Sequence, residues 1–326
     1  MPEAALDRVR AVSPRVALTA LTPARAEAID PAAYAQAEVL YTAFGLPAPE
    51  QAPALRWVQA NFAGVNNWLG HPLLARRGLR VTTASGVHGV VMGEHVLLML
   101  LAFAHELPTL TRAQAAREWQ ANRVSHTLRE LRGATLGILG YGSIGREAAR
   151  QARALGMRVL ASKRNVAQRA DTGWFLPGTG DPAGELVERF YGPDDWRAML
   201  PECDYLVIAA PLTPGTHHLL DAAALAAMRP TAVVVNVARG DLVDEAALID
   251  ALQAGRLGGA ALDVFAREPL PADSPLWALP NVILTPHIAG HTPAYAGRAM
   301  TLFAENVRRY LAGEPLLNTV DPRAGY

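Results

Sequence analysis

Thr135–Asn165 reads TLGILGYGSIGREAARQARALGMRVLASKRN, and this stretch decides the fold. It opens with an apolar run, Thr135–Leu139, of the kind expected for a buried parallel strand. Gly140, Gly142 and Gly145 follow in the pattern G-x-G-x-x-G. A helix comes next, with Ala148, Ala149, Ala152 and Leu155 as its small apolar face, and Gly156 ends it. Met157–Ala161 reads as a second strand. A strand, glycine turn, helix and strand within about thirty residues form the context in which this motif carries weight. The first glycine permits the tight turn, the second lets the backbone approach a pyrophosphate, and the third allows close helix–strand packing. The helix N-terminus offers free N–H groups and a positive dipole to phosphate. A turn that packs without binding is the plainer alternative, and the full unit favours a bound dinucleotide.

The chain around this unit has 326 residues, which suits two domains rather than one core. Apolar residues make up 51%, charged residues 18%, and the formal net charge is zero. A neutral balance gives no electrostatic reason to expect nucleic acid or an anionic membrane as partner. The single cysteine, Cys203, cannot form an internal disulfide and precedes a strand, so it reads as a small buried hydrophobe in a reducing compartment. The N-terminus lacks a signal-peptide pattern, and the longest apolar run, Val96–Ala104, is too short to span a bilayer. The expectation is a soluble, cytoplasmic protein, with no metal site read from the sequence.

Residues 1–60 carry short apolar runs, Val16–Leu21, Val39–Ala43 and Leu55–Gln59, which suggest a small α/β unit. Asn61–Trp68 (NFAGVNNW) is a glycine turn after a strand, and either an anion-binding turn or an ordinary strand-to-helix turn fits it. Leu79–Thr82 reads as a short strand and Ser85-Gly-Val as a turn into the helix Met92–Leu107. That helix is apolar nearly all round, so it should be buried between domains, between subunits, or both. Pro108 should stop it, and Thr111–Asn122 reads as a more polar helix containing Trp119. Arg164–Pro193, rich in glycine and charge, reads as irregular surface loop. Strand and helix signals then alternate over Tyr205–Ala209, Asp221–Met228, Ala232–Val237, Glu245–Ala254, Ala260–Val264 and Val282–Leu284. Such alternation argues for α/β architecture with a doubly wound parallel sheet. Pro293–Ala312 is an amphipathic helix with Ala299, Leu302, Phe303, Val307 and Leu311 on one face, expected to return to the first unit. The reading is a cofactor domain, 99–290, inserted in a smaller discontinuous α/β substrate domain, 1–98 and 291–326.

Which dinucleotide binds depends on the end of the second strand. An acid about twenty residues past the turn would bind the ribose 2′-hydroxyl of NAD. Here the strand ends in Ser162-Lys163-Arg164, with no carboxylate. A hydroxyl, an ammonium and a guanidinium can all bond a 2′-phosphate. The expected cofactor is therefore NADP(H), with NAD(H) possible.

Four side chains with chemistry sit at later strand ends: Arg239 in VVVNVARGDLVDE, Asp263 in GAALDVF, Glu268 in AREPLP and His287 in VILTPHIAG. Ligands bind outside the carboxyl ends of strands in open α/β sheets, so the four can converge on the nicotinamide end. An arginine grips a carboxylate in bidentate fashion. A His–Glu pair supplies a general acid kept protonated by its negative neighbour. Taken singly each has a plainer reading: Arg239 in a capping ion pair, Glu268 solvated on a loop, His287 satisfied in the core. Together, behind a dinucleotide fingerprint, they favour catalysis.

With these residues in place, the sequence resembles the D-isomer-specific 2-hydroxyacid dehydrogenase family, in particular its glyoxylate/hydroxypyruvate reductase-like members. The matching blocks are LRWVQANFAGVNN, VMGEHVLLMLLA, TLGILGYGSIG, PLTPGTHHLL, VVVNVARGDLVDE, GGAALDVFAREPLP and NVILTPHIAGHT, spread in family order over most of residues 55–315. The ending, LFAENVRRYLAGEPLLNTVDPRAGY, is similar to that of a prokaryotic subgroup. The resemblance implies a Rossmann cofactor domain and a homodimer. It implies Arg239, Glu268 and His287 as catalytic triad: His287 protonating the keto oxygen, Glu268 orienting His287, Arg239 binding the carboxylate. It further implies that Asp263 holds the nicotinamide carboxamide and that Ala63-Gly64 offer N–H groups to the substrate carboxylate. Ser143 and Ile144 would meet the pyrophosphate, Pro211 and Thr216 the adenosine half, and Val237 and Ala238 the nicotinamide ribose.

Two departures bear on function. The acid expected after the second strand is absent, and Asn66 stands where the family often has an acid, for which there is no functional account. Glu268 argues against formate-oxidising relatives, which carry an amide there. The lack of an appended module after residue 326 argues against the serine-pathway members. The expected function is hydride transfer between NADP(H) and a 2-keto acid, in the reductive direction. The alternatives are an NAD-linked dehydrogenase of another small anion such as phosphite, and a dinucleotide-sensing, corepressor-like interaction protein.

Overall fold

The computed structural model describes residues 2–21, 29–65, 68 and 70–320. Asn66 and the last six residues of the chain lie outside the described residues. The chain divides into two compact units, one made of residues 1–87, 172–176 and 292–326, the other of 88–171 and 177–291.

The first unit is built on a three-stranded parallel sheet in the order β1 (Val39–Thr42), β2 (Trp57–Ala60), β3 (Arg80–Thr82). The run Val16–Leu21 forms no strand. Alternate residues of β2 face opposite layers, as the two-residue period of a strand requires. Trp57 packs with Met300, Phe303 and Val307 of the helix Tyr295–Ala312, while Val58 and Ala60 pack with Leu55, Val65, Leu73 and Val81. A buried polar chain ties sheet to helix: Trp57 Nε1 donates to Thr82 Oγ1 (2.7 Å), Thr82 to Gln59 Oε1 (2.7 Å), and Asn306 Nδ2 to the same oxygen (3.2 Å). Fully satisfied buried networks of this kind specify one arrangement. The expected apolar face of the helix is buried at Ala299, Leu302, Phe303 and Val307, with Leu311 half-buried.

The second unit holds a seven-stranded, all-parallel sheet in the order β10-β9-β8-β7-β4-β5-β6. Its strands are β4 (Thr135–Leu139), β5 (Arg158–Ser162), β6 (Arg189–Tyr191), β7 (Tyr205–Ile208), β8 (Val233–Asn236), β9 (Gly259–Leu262) and β10 (Val282–Leu284). Successive residues alternate between two cores: Leu160, Leu206 and Val234 on one face, Val159, Ala161, Val207 and Val235 on the other. Both faces are covered, so the sheet is doubly wound, as the alternating signals imply. The order reverses between β4 and β7, and the glycine turn leaves β4 at that switch point.

Several local expectations shift. The helix read from Met92 runs Gly89–Ala104 and lies whole in the second unit, where Gly93 lets it close on Glu147 of the helix Ser143–Ala154. Leu155 is 38% exposed and follows that second helix, so it is not part of the apolar face. Trp119 lies in no helix: Arg117 takes a left-handed conformation (φ 59) that ends the helix Leu107–Ala116, and Trp119 stands 96% exposed. Arg164–Pro193 is no plain surface loop, because it supplies the edge strand β6 and buries Asp181 and Tyr191. Its segment Thr172–Leu176 joins the first unit, where Trp174 packs with Val87, Ala299 and Leu302 and its N–H donates to Asn318 Oδ1 (2.9 Å). Among the described residues no single helix is long and apolar enough to cross a membrane.

Candidate active site

The glycine turn has the form a dinucleotide needs. Gly140 has φ +97, and a Cβ there would come within 2.6 Å of Ala210 backbone. A Cβ on Gly145 would lie 2.5 Å from the Gly140 carbonyl oxygen, so only glycine lets the helix close on β4. Gly142 is different: nothing lies within 4 Å of its Cβ direction, which leaves open space above the turn. Among the described residues no side chain caps the helix that starts at Ser143, which leaves its first N–H groups open to a ligand. Tight backbone at two glycines, open space at the third and an uncapped helix N-terminus fit a pyrophosphate.

Beyond the turn, β5 ends in half-buried Ser162 and Lys163, with Arg164 exposed. The Lys163 ammonium bonds the carbonyl of Gln168, and burial followed by the nearby Arg146 lowers its pKa from the ordinary lysine value. On the other side of the switch point, the Thr216 hydroxyl donates to the Pro211 carbonyl (2.7 Å) and closes the turn after β7.

The strand ends β8, β9 and β10 carry the chemistry. His287 Nδ1 lies 2.7 Å from Glu268 Oε2, and Glu268 Oε1 accepts from the Phe265 N–H at 3.1 Å. The carboxylate is thereby fixed on one oxygen and orients the imidazole with the other, leaving His287 Nε2 for a ligand. Both side chains reach solvent, at 49% and 36% exposure, so a substrate can approach them. Asp263 is 2% exposed and does something the sequence did not announce. Its Oδ1 accepts from the Thr285 hydroxyl (2.6 Å) and the Ile288 N–H (2.9 Å), and its Oδ2 from the Ala289 N–H (3.0 Å). Three acceptor sites are used of about four that a carboxylate offers.

Arg239 is exposed at the end of β8, its guanidinium donating to the Ala238 carbonyl at 2.7 Å. Two residues that the sequence reading passed over set its place. Buried Asn236 donates to the Arg239 carbonyl (2.9 Å) and accepts from the Ala238 N–H (3.1 Å), shaping the turn Val237–Arg239. Gly240 packs so tightly on the Phe265 carbonyl that no Cβ fits. That contact brings the Arg239 turn to the loop carrying Glu268. An asparagine closing a run of buried valines was the available signal, since a buried amide must find partners. Glu245 Oε2 also accepts from the Ala266 N–H (3.1 Å) and helps hold the same loop.

The structure thus gathers Arg239, Asp263, Glu268 and His287 at one end of the second unit's sheet, beside β9. Ala63 and Gly64 lie in the first unit after β2, exposed and half-buried.

A site of this make-up, a glycine-turn dinucleotide cradle with an acid–base pair and an arginine at the strand ends, defines the class of dinucleotide-linked oxidoreductases. Residues 97–289 match the family model for the D-isomer specific 2-hydroxyacid dehydrogenase, NAD binding domain. The chain belongs to the D-isomer-specific 2-hydroxyacid dehydrogenase family. It is similar to a solved D-isomer specific 2-hydroxyacid dehydrogenase from Xanthobacter autotrophicus Py2 in complex with NADPH and MES: 33% identity, TM-score 0.79, covering 100% of this chain and 96% of that one. It also resembles the NADPH-dependent glyoxylate/hydroxypyruvate reductase of Sinorhizobium meliloti in complex with NADP and sulfate, with 27% identity, TM-score 0.75, and coverage of 100% and 97%. A D-3-phosphoglycerate dehydrogenase of Methanocaldococcus jannaschii is 33% identical over 272 residues, 83% of this chain. The chain spans about half the length of such phosphoglycerate dehydrogenases, 48% in that case.

Proposed function

We propose that the protein is an NADP(H)-preferring reductase of a small 2-keto acid, glyoxylate or hydroxypyruvate among them, acting as a homodimer. The observation that carries the reading is the 2.7 Å pair between His287 Nδ1 and Glu268 Oε2, set at the strand ends beside Arg239. When bound, the nicotinamide supplies a hydride to the keto carbon. His287 in its protonated form donates a proton from Nε2 to the keto oxygen, and Glu268 holds the ring and stabilises its positive charge. Arg239 grips the substrate carboxylate and draws electron density from the adjacent carbonyl. Asp263 holds the His287 loop and retains one acceptor site for the carboxamide. Ala63 and Gly64 offer backbone N–H groups to the carboxylate.

Preference for the phosphorylated cofactor is supported by Ser162-Lys163-Arg164 and by the NADPH and NADP complexes of the two solved relatives. A homodimer is supported by the large apolar side chains left exposed along and after the helix Gly89–Ala104: Leu98 at 53%, Leu107 at 44%, Leu110 at 39% and Trp119 at 96%. The formal net charge of zero gives no electrostatic reason to expect nucleic acid or an anionic membrane, and the partners proposed are small molecules.

The test is NADPH oxidation with glyoxylate, hydroxypyruvate, 3-phosphohydroxypyruvate and larger 2-keto acids. Turnover on at least one, lost in His287→Ala with cofactor binding retained, supports the reading. Tight NADPH binding without turnover on any of them overturns it.

A further inference from the structure

We propose that Arg169, carried on the insertion between β5 and β6, is a third cation of the 2′-phosphate subsite, and that Arg146 is its positioning residue. The proposal rests on the NADP(H) reading and deepens it.

Arg146 is the anomaly that leads there. It lies in the helix that starts at Ser143 and is only 2% exposed. A guanidinium removed from water costs several kcal/mol unless its donors are met. Its fork is spent on loop backbone: Nη1 donates to the Asp181 carbonyl and Nη2 to the Arg169 carbonyl at 2.6 Å. Nε sits 3.5 Å from Asp171, and the guanidinium lies 4.8 Å from the Tyr141 ring centre. From the opposite side Gly184, at φ +74, closes on Arg169 so tightly that a Cβ would lie 2.5 Å from its carbonyl oxygen. The turn behind Gly184 is itself fixed, because Asp181 accepts from Gly184, Glu185 and Leu186 N–H groups and from the Tyr141 hydroxyl. The Arg169 backbone is therefore clamped on two sides.

Its side chain is not. Arg169 is exposed, with its guanidinium 5.6 Å from the ring centre of Phe190. Phe190 pairs in register with Ala161, next to Ser162, and its ring meets Tyr141 of the glycine turn at 5.2 Å. Arg169 thus stands at the sheet end that carries Lys163 and Arg164. The Lys163 ammonium reaches the carbonyl of Gln168, the residue before it. Lys163, Arg164 and Arg169 bring three cationic side chains to one strand end, where burial and then Arg146 lower the Lys163 pKa and Asp171 acts to raise it. A phosphate monoester would add a charge-assisted partner there and suits a planar guanidinium in bidentate contact.

The experiment compares NADPH and NADH affinities of the full chain carrying Arg169→Gln or Arg169→Lys, by titration and by steady-state KM. Loss of one charge-assisted pair should raise the NADPH dissociation constant about tenfold, leave NADH unmoved, and be partly rescued by lysine. Arg146→Lys keeps the charge but loses the fork, and should lower NADPH-over-NADH selectivity while kcat with NADH holds. Equal loss for both cofactors would mean a merely structural Arg146 and overturn its role. An unmoved NADPH constant in Arg169→Gln, while Lys163→Gln/Arg164→Gln raises it, overturns the role of Arg169 and spares the cofactor reading. If the double variant is also unmoved, the cofactor reading itself falls.

Discussion

The main-chain N–H of His287 donates to the Asp263 carbonyl at 2.8 Å, and the Asp263 carboxylate takes the N–H groups of the next two residues, Ile288 and Ala289. Asp263 thereby imposes a left-handed backbone, φ +54, on a histidine. Such a conformation costs about 1–3 kcal/mol in a non-glycine residue and persists only where the surroundings over-determine it. Here the over-determination comes from one buried acid, and its result is an imidazole aimed at Glu268.

Asp263→Asn should therefore damage both stability and catalysis. The amide cannot accept from every donor the carboxylate serves, so one N–H or hydroxyl is left unmet, at about 1–3 kcal/mol. Denaturant melts should show that loss, and kcat should fall by about tenfold or more as the His287 loop relaxes. Intact stability with full kcat would show that the loop holds itself.

His287→Ala should lower kcat by roughly 10²–10⁴, the usual contribution of a positioned general acid, with little change in cofactor affinity. Glu268→Gln keeps an acceptor for the Phe265 N–H but loses the charge that stabilises the imidazolium. It should fall between His287→Ala and the native enzyme. Stopped-flow turnover combined with cofactor titration separates these roles from misfolding. Arg239→Ala should act chiefly on the keto acid KM.

Replacing Lys163 and Arg164 together by glutamine should raise the NADPH Michaelis constant by at least about tenfold while NADH is little affected. Parallel kinetics with the two cofactors read this directly. Unchanged NADPH kinetics would remove the basis for the cofactor preference.

Burial pushes the Cys203 thiol up from about 9 to about 12. The folded chain then keeps a proton that the unfolded chain gives up, so the stability from the neutral thiol is fully present below about pH 9. It is lost as pH rises towards 12, at roughly 1.4 kcal/mol per unit. Cys203→Ala should melt with a shallower alkaline decline than the native protein. Thiol reagents at pH 8 should label Cys203 only after unfolding; rapid labelling of the folded protein would contradict its burial at 0% exposure.

Much of this molecule was legible in the chain because it rests on local rules. Thr135–Leu139 is an unbroken apolar run, and the strand appears with those bounds. Gly140 and Gly145 had to be glycine for reasons of turn and packing, and the structure puts backbone where a Cβ would go. The alternation after Tyr205 became the parallel strands β7 to β10. What escaped was decided by partners far along the chain. Arg164–Pro193 has no periodicity, yet Arg146 and Asp181 fix it and β6 completes the sheet edge. Trp119 lies within a helical pattern, but a left-handed Arg117 ends the helix before it.

The same division holds for the site. Residue types and their order, G-x-G-x-x-G and then Arg239, Glu268 and His287, determined by themselves which chemistry was available, because charge and hydrogen-bonding capacity belong to side chains. Only the tertiary structure decided that Glu268 meets His287 at 2.7 Å, that Asn236 and Gly240 set Arg239, and that Asp263 shapes the loop. Those facts depend on strand register and on buried polar groups finding partners across tens of residues. No spacing along the chain encodes them.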